Sequence, residues 1–289
     1  MRVIEPSELI INPDGSVFHL HIKPGQLAPN VILVGDPGRV EMIASLFDTI
    51  ESEASNREFI SATGSFNEKK ITVLSTGIGT DNIDIVMNEL DALVNIDFET
   101  RTIKKEHTSL NIIRIGTSGA LQANIRVDSF LASAKAIGFD GLLNFYDGRN
   151  DISDLAFEEA FKQYVGWNHL LASPYVVSCD NVLLGRIVDD NFIEGVTISA
   201  PGFYAPQGRE LRLKTVDSLL NDKIEGFGYN GYKITNYEME CSAIYGLSKL
   251  LGHHALTVCI IIANRVNKTA TKDYKPVMKQ LISTILEKI

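Results

Sequence analysis

Short apolar runs bounded by glycine, proline and acidic residues alternate along this chain with stretches in which apolar positions recur every three or four residues. The first pattern reads as buried strands and the second as amphipathic helices, so the chain is predicted to be an α/β protein, a sheet flanked by helices. Strands are expected at 31–34, 58–62, 71–75, 111–115, 127–133, 196–199 and 256–262. The clearest helix follows the turn GIGTDN and sets Ile83, Val86, Met87, Leu90 and Val94 on one face. The last helix does the same with Met278, Leu281, Ile282, Ile285 and Leu286. Between Gly141 and Leu171 the sequence mixes Gly, Asn and Asp with aromatics and reads as loops around a helix. No repeat, low-complexity tract or linker interrupts the pattern, so 1–289 is read as a single domain.

Composition narrows the function classes. The chain has 289 residues, 45% of them hydrophobic, enough for one large core. A formal net charge of −9 disfavours nucleic acid and anionic membrane surfaces as partners. Cys179, Cys241 and Cys259 lack CxxC spacing and read as buried thiols in a reducing, cytoplasmic setting. The opening MRVIEPSELIINPDG is acidic and broken by Pro6 and Pro13, unlike a signal peptide, and no apolar run approaches the roughly 18 residues that span a bilayer.

Against that background Arg114 stands out, a charge inside the apolar run NIIRIGTSGA that is expected to end in a GTSG turn. A guanidinium keeps its proton, so it needs a carboxylate or a phosphate beside it. The two cases separate on mutation. A bound anion is the expectation, so that Arg114→Ala loses most of its activity and stays folded; if a structural carboxylate meets it instead, the variant loses several kcal/mol, on the order of the cost of orphaning a buried charge. VILVGDPGRV reads as a strand, a glycine turn and a helix N-terminus, a backbone anion site with Arg39 in the first helical turn. In NYEMEC, Glu238 and Glu240 stand before a periodic helix and either serve a site or cap that helix. Other chemistries fit less well. GIGTDN places Asn82 where a dinucleotide fold needs its third glycine, and no GxxxxGK[ST] loop exists. His19 and His21 share one face of a strand-like FHLHI and His253 adjoins His254, yet neither pair has further zinc ligands in its context.

Eight segments then occur in the order they take in one family. SVFHL (16–20), VGDPGRV (34–40), NREF (56–59), STGIG (75–79), RIGTSGA (114–120), GFYAPQGR (202–209), NYEME (236–240) and ANR (263–265) resemble the nucleoside phosphorylases of the uridine phosphorylase group. The similarity covers nearly the whole chain from Ser16 onward and thins between Gly141 and Gly195, where this chain is longer than compact bacterial relatives. The resemblance implies the nucleoside phosphorylase fold, a three-layer αβα domain with a central mixed, partly barrel-like sheet. It implies that Gly35, Arg39, Arg114 and Thr117 hold the attacking phosphate, joined by Arg57 of a neighbouring subunit. Glu240 and Met239, with His19 from the neighbouring subunit, are expected to grip the ribose. By the same resemblance Phe203 is expected to stack on the base, Gln207 and Arg209 to read its amide edge, and Arg265 to lie behind it. Arg39, Arg57, Arg114, Thr117 and Glu240 are the residues expected to carry catalysis, in a homodimer or a hexameric trimer of dimers with shared sites.

The reaction implied is reversible phosphorolysis, with phosphate as co-substrate and no other cofactor. Phosphate attacks C1′ with inversion, and preorganised donors stabilise the charge that develops on the base. Purine-cleaving relatives place an aspartate acid after the late strand, where this chain has Asn264 and Arg265, so the sequence leans toward pyrimidine nucleosides, uridine first. A purine nucleoside phosphorylase or nucleosidase, and a non-enzymatic nucleoside-binding protein, are the alternatives. One departure concerns a monovalent-cation site: Glu58 and Ile78 match the family, but the stretch after GIG reads Thr80, Asp81, Asn82 in place of the usual Gly, Pro, Ser, which puts potassium binding in doubt.

Overall fold

The apolar run at 31–34 forms strand β1 (Asn30–Val34), buried throughout except at its first residue, as a strand covered on both faces must be. Asp36 then caps helix α1 (Pro37–Ala44): its Oδ1 accepts the Gly38 amide at 3.0 Å, and Pro37 opens the first turn, where an N–H has no helical partner anyway. Strands β2 (Thr49–Asn56), β3 (Phe59–Phe66) and β4 (Lys69–Ser75) follow. β1 pairs β4 in parallel, while β4 pairs β3 and β3 pairs β2 antiparallel, with α1 packed on β3 and β4. Gly64 of β3 has no substitute, because a Cβ there would meet the Thr49 carbonyl oxygen at 2.0 Å. Helix α2 (Thr80–Asn95) buries Ile83, Val86, Met87 and Leu90 of the expected stripe and half-buries Val94. A small antiparallel ribbon, β5 (Ile96–Asp97) with β6 (Thr102–Ile103), completes this part of the chain.

This computed structural model describes residues 2–289, which form two units: one runs to Ile113 and takes in Leu251–His254, the other comprises Arg114–Leu250 and Ala255–Ile289. After β7 (Asn111–Ala120) come β8 (Phe130–Gly138), α3 (Arg149–Ile152), α4 (Leu155–Val165), β9 (Tyr175–Ser178), α5 (Asn181–Ile187) and β10 (Phe192–Ser199). The chain continues through α6 (Leu220–Gly226), β11 (Gly228–Tyr229), β12 (Tyr232–Glu238), α7 (Cys241–Leu251), β13 (His254–Asn264), β14 (Thr269–Ala270) and α8 (Lys275–Lys288).

Five of these strands close on themselves. β7 lies beside β13, β13 pairs β8 antiparallel, β8 pairs β10 and β10 pairs β12 in parallel, and β12 returns to β7 antiparallel with Asn236 opposite Ala120 and Tyr237 opposite Gly119. This closed ring is the partly barrel-like, mixed sheet that the resemblance implies. Against it Phe157 and Phe161 of α4 pack with Phe227, Tyr237 and Ile137 in one apolar cluster. The α8 stripe Met278, Leu281, Ile282, Ile285 and Leu286 is buried as the periodicity predicts. All three cysteines are free and buried, and among the described residues no helix is long and apolar enough to cross a membrane.

Three expectations are corrected. GTSG is no turn, because β7 runs through it to Ala120 and pairs with β12 at Gly119 and Ala120. FHLHI is no strand: Phe18–Leu20 turn, and His21 has a left-handed φ of 53°. Residues 127–129 precede β8 and lie outside it.

Candidate active site

Alternate residues of a strand share a face, so Arg114, Gly116 and Ser118 look the same way from β7. Gly116 makes the room: a Cβ there would meet Arg114 Nη1 at 2.2 Å and Cζ at 2.9 Å. Continuing the β12–β7 register sets Glu238 across from Ser118 and Glu240 across from Gly116, on that same face. Arg114 Nη1 lies 3.2 Å from Glu238 Oε2, and Nη2 donates to Glu240 Oε2. Nη1 also faces Cys259 Sγ at 3.6 Å. Arg114, Glu238 and Glu240 are only 5%, 4% and 4% exposed. Burial works against the Arg114 charge, but Glu240 and then Glu238 outweigh it and raise its pKa, so the cation is fixed. Burial pushes the Glu238 carboxyl above its ordinary range, with Arg114 opposing and Glu240 adding to the rise. Burial also pushes the Cys259 thiol up to about 11, so it stays protonated.

The expectation that only a ligand meets Arg114 is therefore corrected, since two carboxylates of β12 and its continuation already do. They differ in role. Glu238 caps α7 by accepting the Glu240 amide at 2.9 Å and the Cys241 amide at 2.9 and 3.1 Å, whereas Glu240 turns to Arg114. Arg114 Nε is buried without an acceptor among the described residues, which leaves one N–H of the guanidinium for a ligand. Thr117 and Met239, at the alternate positions, are half-buried.

A second cluster follows β10. Gln207 ends the turn Ala205–Gln207 and is 3% exposed, while Phe203 is 52% exposed. Arg209 stacks on Phe203 with Cζ 3.8 Å from the ring centroid, and its Nη1 donates to the Phe203 carbonyl at 2.6 Å and to Gln207 Oε1. Arg265 donates to the Gln207 carbonyl and lies 5.7 Å from the Tyr237 ring. Burial lowers the pKa of both guanidiniums, and Arg265 lowers that of Arg209 further. The four residues expected at the base are thus together. Asn264 is locked elsewhere: its amide donates to the carbonyls of Gln122 at 2.9 Å and Ile125 at 2.7 Å, and its oxygen accepts the Asn267 amide at 2.8 Å.

In the first unit Gly35 follows β1, close enough to the turn after β4 that an added Cβ would lie 3.4 Å from the Gly77 carbonyl oxygen. Arg39 is half-buried in the first turn of α1. Arg57 sits exposed at the β2–β3 turn with φ of 55°, and makes no hydrogen bond or ion pair among the described residues. His19 Nδ1 lies 2.6 Å from Glu89 Oε1, and the same carboxylate accepts the His19 and Leu20 amides. That holds the ring with Nδ1–H inward and leaves Nε2 for a ligand. Sequence reasoning did not find Glu89; its only signal is a carboxylate on the largely apolar side of α2.

Two groups of residues resemble cation sites. Asn82 Nδ2 donates to Glu58 Oε1 at 3.2 Å, and Ile78 is exposed, so Glu58 meets an N–H where a cation needs an oxygen. The residues as arranged do not fit potassium. Asp91, His107 and His253 bring their ligand atoms within 4.8 Å of one another. Yet His253 Nδ1 accepts the Leu110 amide at 3.2 Å, which puts the ring proton on Nε2, toward Asp91 at 3.3 Å, with no lone pair for a metal.

The family model of the phosphorylase superfamily matches residues 29–286, and the chain belongs to that superfamily. It is 27% identical to a uridine phosphorylase of Thermococcus kodakarensis over 278 residues, 95% of this chain and 88% of that protein. It is 31% identical to a uridine phosphorylase of Haemophilus influenzae over 256 residues, 87% of this chain and 88% of that protein. The solved structure of a Trypanosoma brucei nucleoside phosphorylase, described as showing uridine phosphorylase activity, is 29% identical and superposes with a TM-score of 0.88 over 96% of this chain and 98% of that one.

Proposed function

We propose that this chain is a uridine phosphorylase-like pentosyltransferase, which cleaves a pyrimidine nucleoside, uridine first, with phosphate to give free base and ribose 1-phosphate, reversibly. The observation that carries the reading is the Arg114–Glu240 pair: a fixed cation with a donor to spare beside a carboxylate whose two oxygens suit a vicinal diol. A phosphate oxygen bonds to C1′ as the C1′–N1 bond breaks, and the bonding pair leaves with uracil, spread over N1 and the two carbonyl oxygens. Gln207 and Arg209 supply donors to that charge, Arg265 stands behind them, and Phe203 stacks on the ring. A base stacked on the Phe203 face that Arg209 covers moves that guanidinium aside. Asn264 has no proton to give a purine, which weighs against the purine reading.

Phosphate is held by Gly35, Arg39, Arg114 and Thr117 with Arg57 of a second copy, and ribose by Met239 and Glu240 with His19 of that copy. The exposed Arg57, without a partner among the described residues, and the oriented His19 ring support this sharing within a homodimer or a trimer of dimers. The protein works as a single cytoplasmic catalytic domain with phosphate as its co-substrate and no other cofactor. The test is release of free base from a panel of nucleosides with and without phosphate. Uracil released from uridine only with phosphate or arsenate is expected, and comparable release in phosphate-free buffer overturns the reading in favour of a nucleosidase.

A further inference from the structure

Ser199 ends β10 with its side chain fully buried. Its hydroxyl lies 2.5 Å from Glu238 Oε1 and accepts the Ser242 amide at 2.8 Å. A hydroxyl has one proton, and with the Ser242 N–H occupying a lone pair that proton is directed to Glu238. Glu238 is thereby held on every side: Ser199 and the Cys241 amide meet Oε1, while the Glu240 and Cys241 amides meet Oε2. What remains of Oε2 faces Arg114 Nη1 at 3.2 Å. The other carboxylate on Arg114 is Glu240, and in the proposed reaction Glu240 also serves the ribose hydroxyls. Glu238 is then the fixed anchor of the guanidinium.

We propose that Ser199 is a positioning residue that aims Arg114 at the phosphate by fixing Glu238, and this rests on the phosphorolytic reading above. The hydroxyl never touches a substrate. It sets the angle of a carboxylate that sets the angle of a cation, so its loss weakens phosphate binding specifically. Removing a hydrogen bond to a charged group is expected to raise the KM for phosphate about tenfold or more. The KM for uridine should rise less than that for phosphate, because the relay reaches the nucleoside only through Glu240 and touches no base contact.

Ser199→Ala tests this, with Ser199→Cys as a near-isosteric second variant that keeps a weak donor and is expected to fall between Ala and wild type. Glu238→Gln should reproduce the phosphate defect, and Ser199→Ala combined with Glu238→Gln should be no worse than Glu238→Gln alone, since residues acting along one chain are not additive. A purely structural Ser199 would instead lower the melting temperature without separating the two KM values, and would add to Glu238→Gln; either outcome overturns the proposal, as does an unchanged phosphate KM in a folded Ser199→Cys protein. Phosphate-dependent uracil release by the wild-type protein, measured alongside, reports separately on the proposed function. Failure there condemns the reaction, whereas a wild-type activity with unaltered Ser199 variants condemns only the relay.

Discussion

Arg114→Ala removes the cation that faces Glu238 and Glu240, both almost wholly buried. Breaking a buried ion pair by deleting one partner is costly because the remaining charge loses that attraction without regaining water. The expected loss is about 3–5 kcal/mol. At about 2–4 °C per kcal/mol for larger domains, the melting temperature should fall by roughly 6–20 °C. The loss should depend on pH in a definite direction. Burial already raises the Glu238 pKa in the folded protein, and removing Arg114 raises it further, so the folded state binds more protons than the unfolded one above the ordinary glutamate range. Stability then falls as pH rises through neutrality, and the gap between wild type and variant should be wider at pH 8 than at pH 5.5. Combining Arg114→Met with Glu238→Gln and Glu240→Gln removes every charge and should recover most of the loss. Thermal melts of the three proteins at both pH values, with and without phosphate, are the assay. Phosphate should raise the wild-type midpoint and leave Arg114→Ala unmoved, since only a ligand bound to the native state stabilises it. A loss below about 1 kcal/mol with no widening toward pH 8 would refute the view that the carboxylates depend on Arg114.

Gly116→Ala puts a Cβ 2.2 Å from Arg114 Nη1, so it should cost about 1–3 kcal/mol of stability and displace the guanidinium; melts and phosphate KM check this, and a variant that behaves as wild type removes Gly116 from the argument. Gln207→Ala and Arg209→Ala should each depress uridine turnover while leaving phosphate KM nearly unchanged, and unaltered uridine kinetics in both would take them out of the site. Arg57→Ala and Glu240→Ala chains, each inactive alone, should restore roughly a quarter of wild-type activity when co-expressed, because half of randomly paired dimers are mixed and half the sites in those are whole. Background activity from a pool shown by mass spectrometry to contain mixed dimers means that each chain builds its own site.

Much of this was legible in the sequence where local pattern decides structure. β1 with its Asp36-capped helix, and the stripes of α2 and α8, follow from periodicity and capping. β2 was not legible, because TIESEASN is a largely exposed strand with too few apolar positions to show a face. GTSG misled for the opposite reason: small residues suggest a turn, yet pairing with β12, more than a hundred residues later, keeps the backbone extended. At the site, the residue types were readable and their partners were not. Arg114 announces that it needs an anion, but whether a ligand or Glu240 answers is settled 126 residues away. Ser199 gave no signal, because a serine ending an apolar strand looks like any other.

The closure of the barrel and the electrostatics of the site are one event. β12 meets β7 with Asn236 opposite Ala120, and that register, counted onward, brings Glu238 and Glu240 to the face that carries Arg114 and Gly116. A slip of one residue would turn Arg114 and the glutamates to opposite faces of the sheet, burying a cation and two carboxylates apart. The ion group therefore penalises such a slip, and the register in turn delivers the guanidinium with its Nε–H unmet among the described residues. Charge that is unfavourable to bury thus specifies the pairing of strands, and what that pairing leaves unsatisfied is what a phosphate can satisfy.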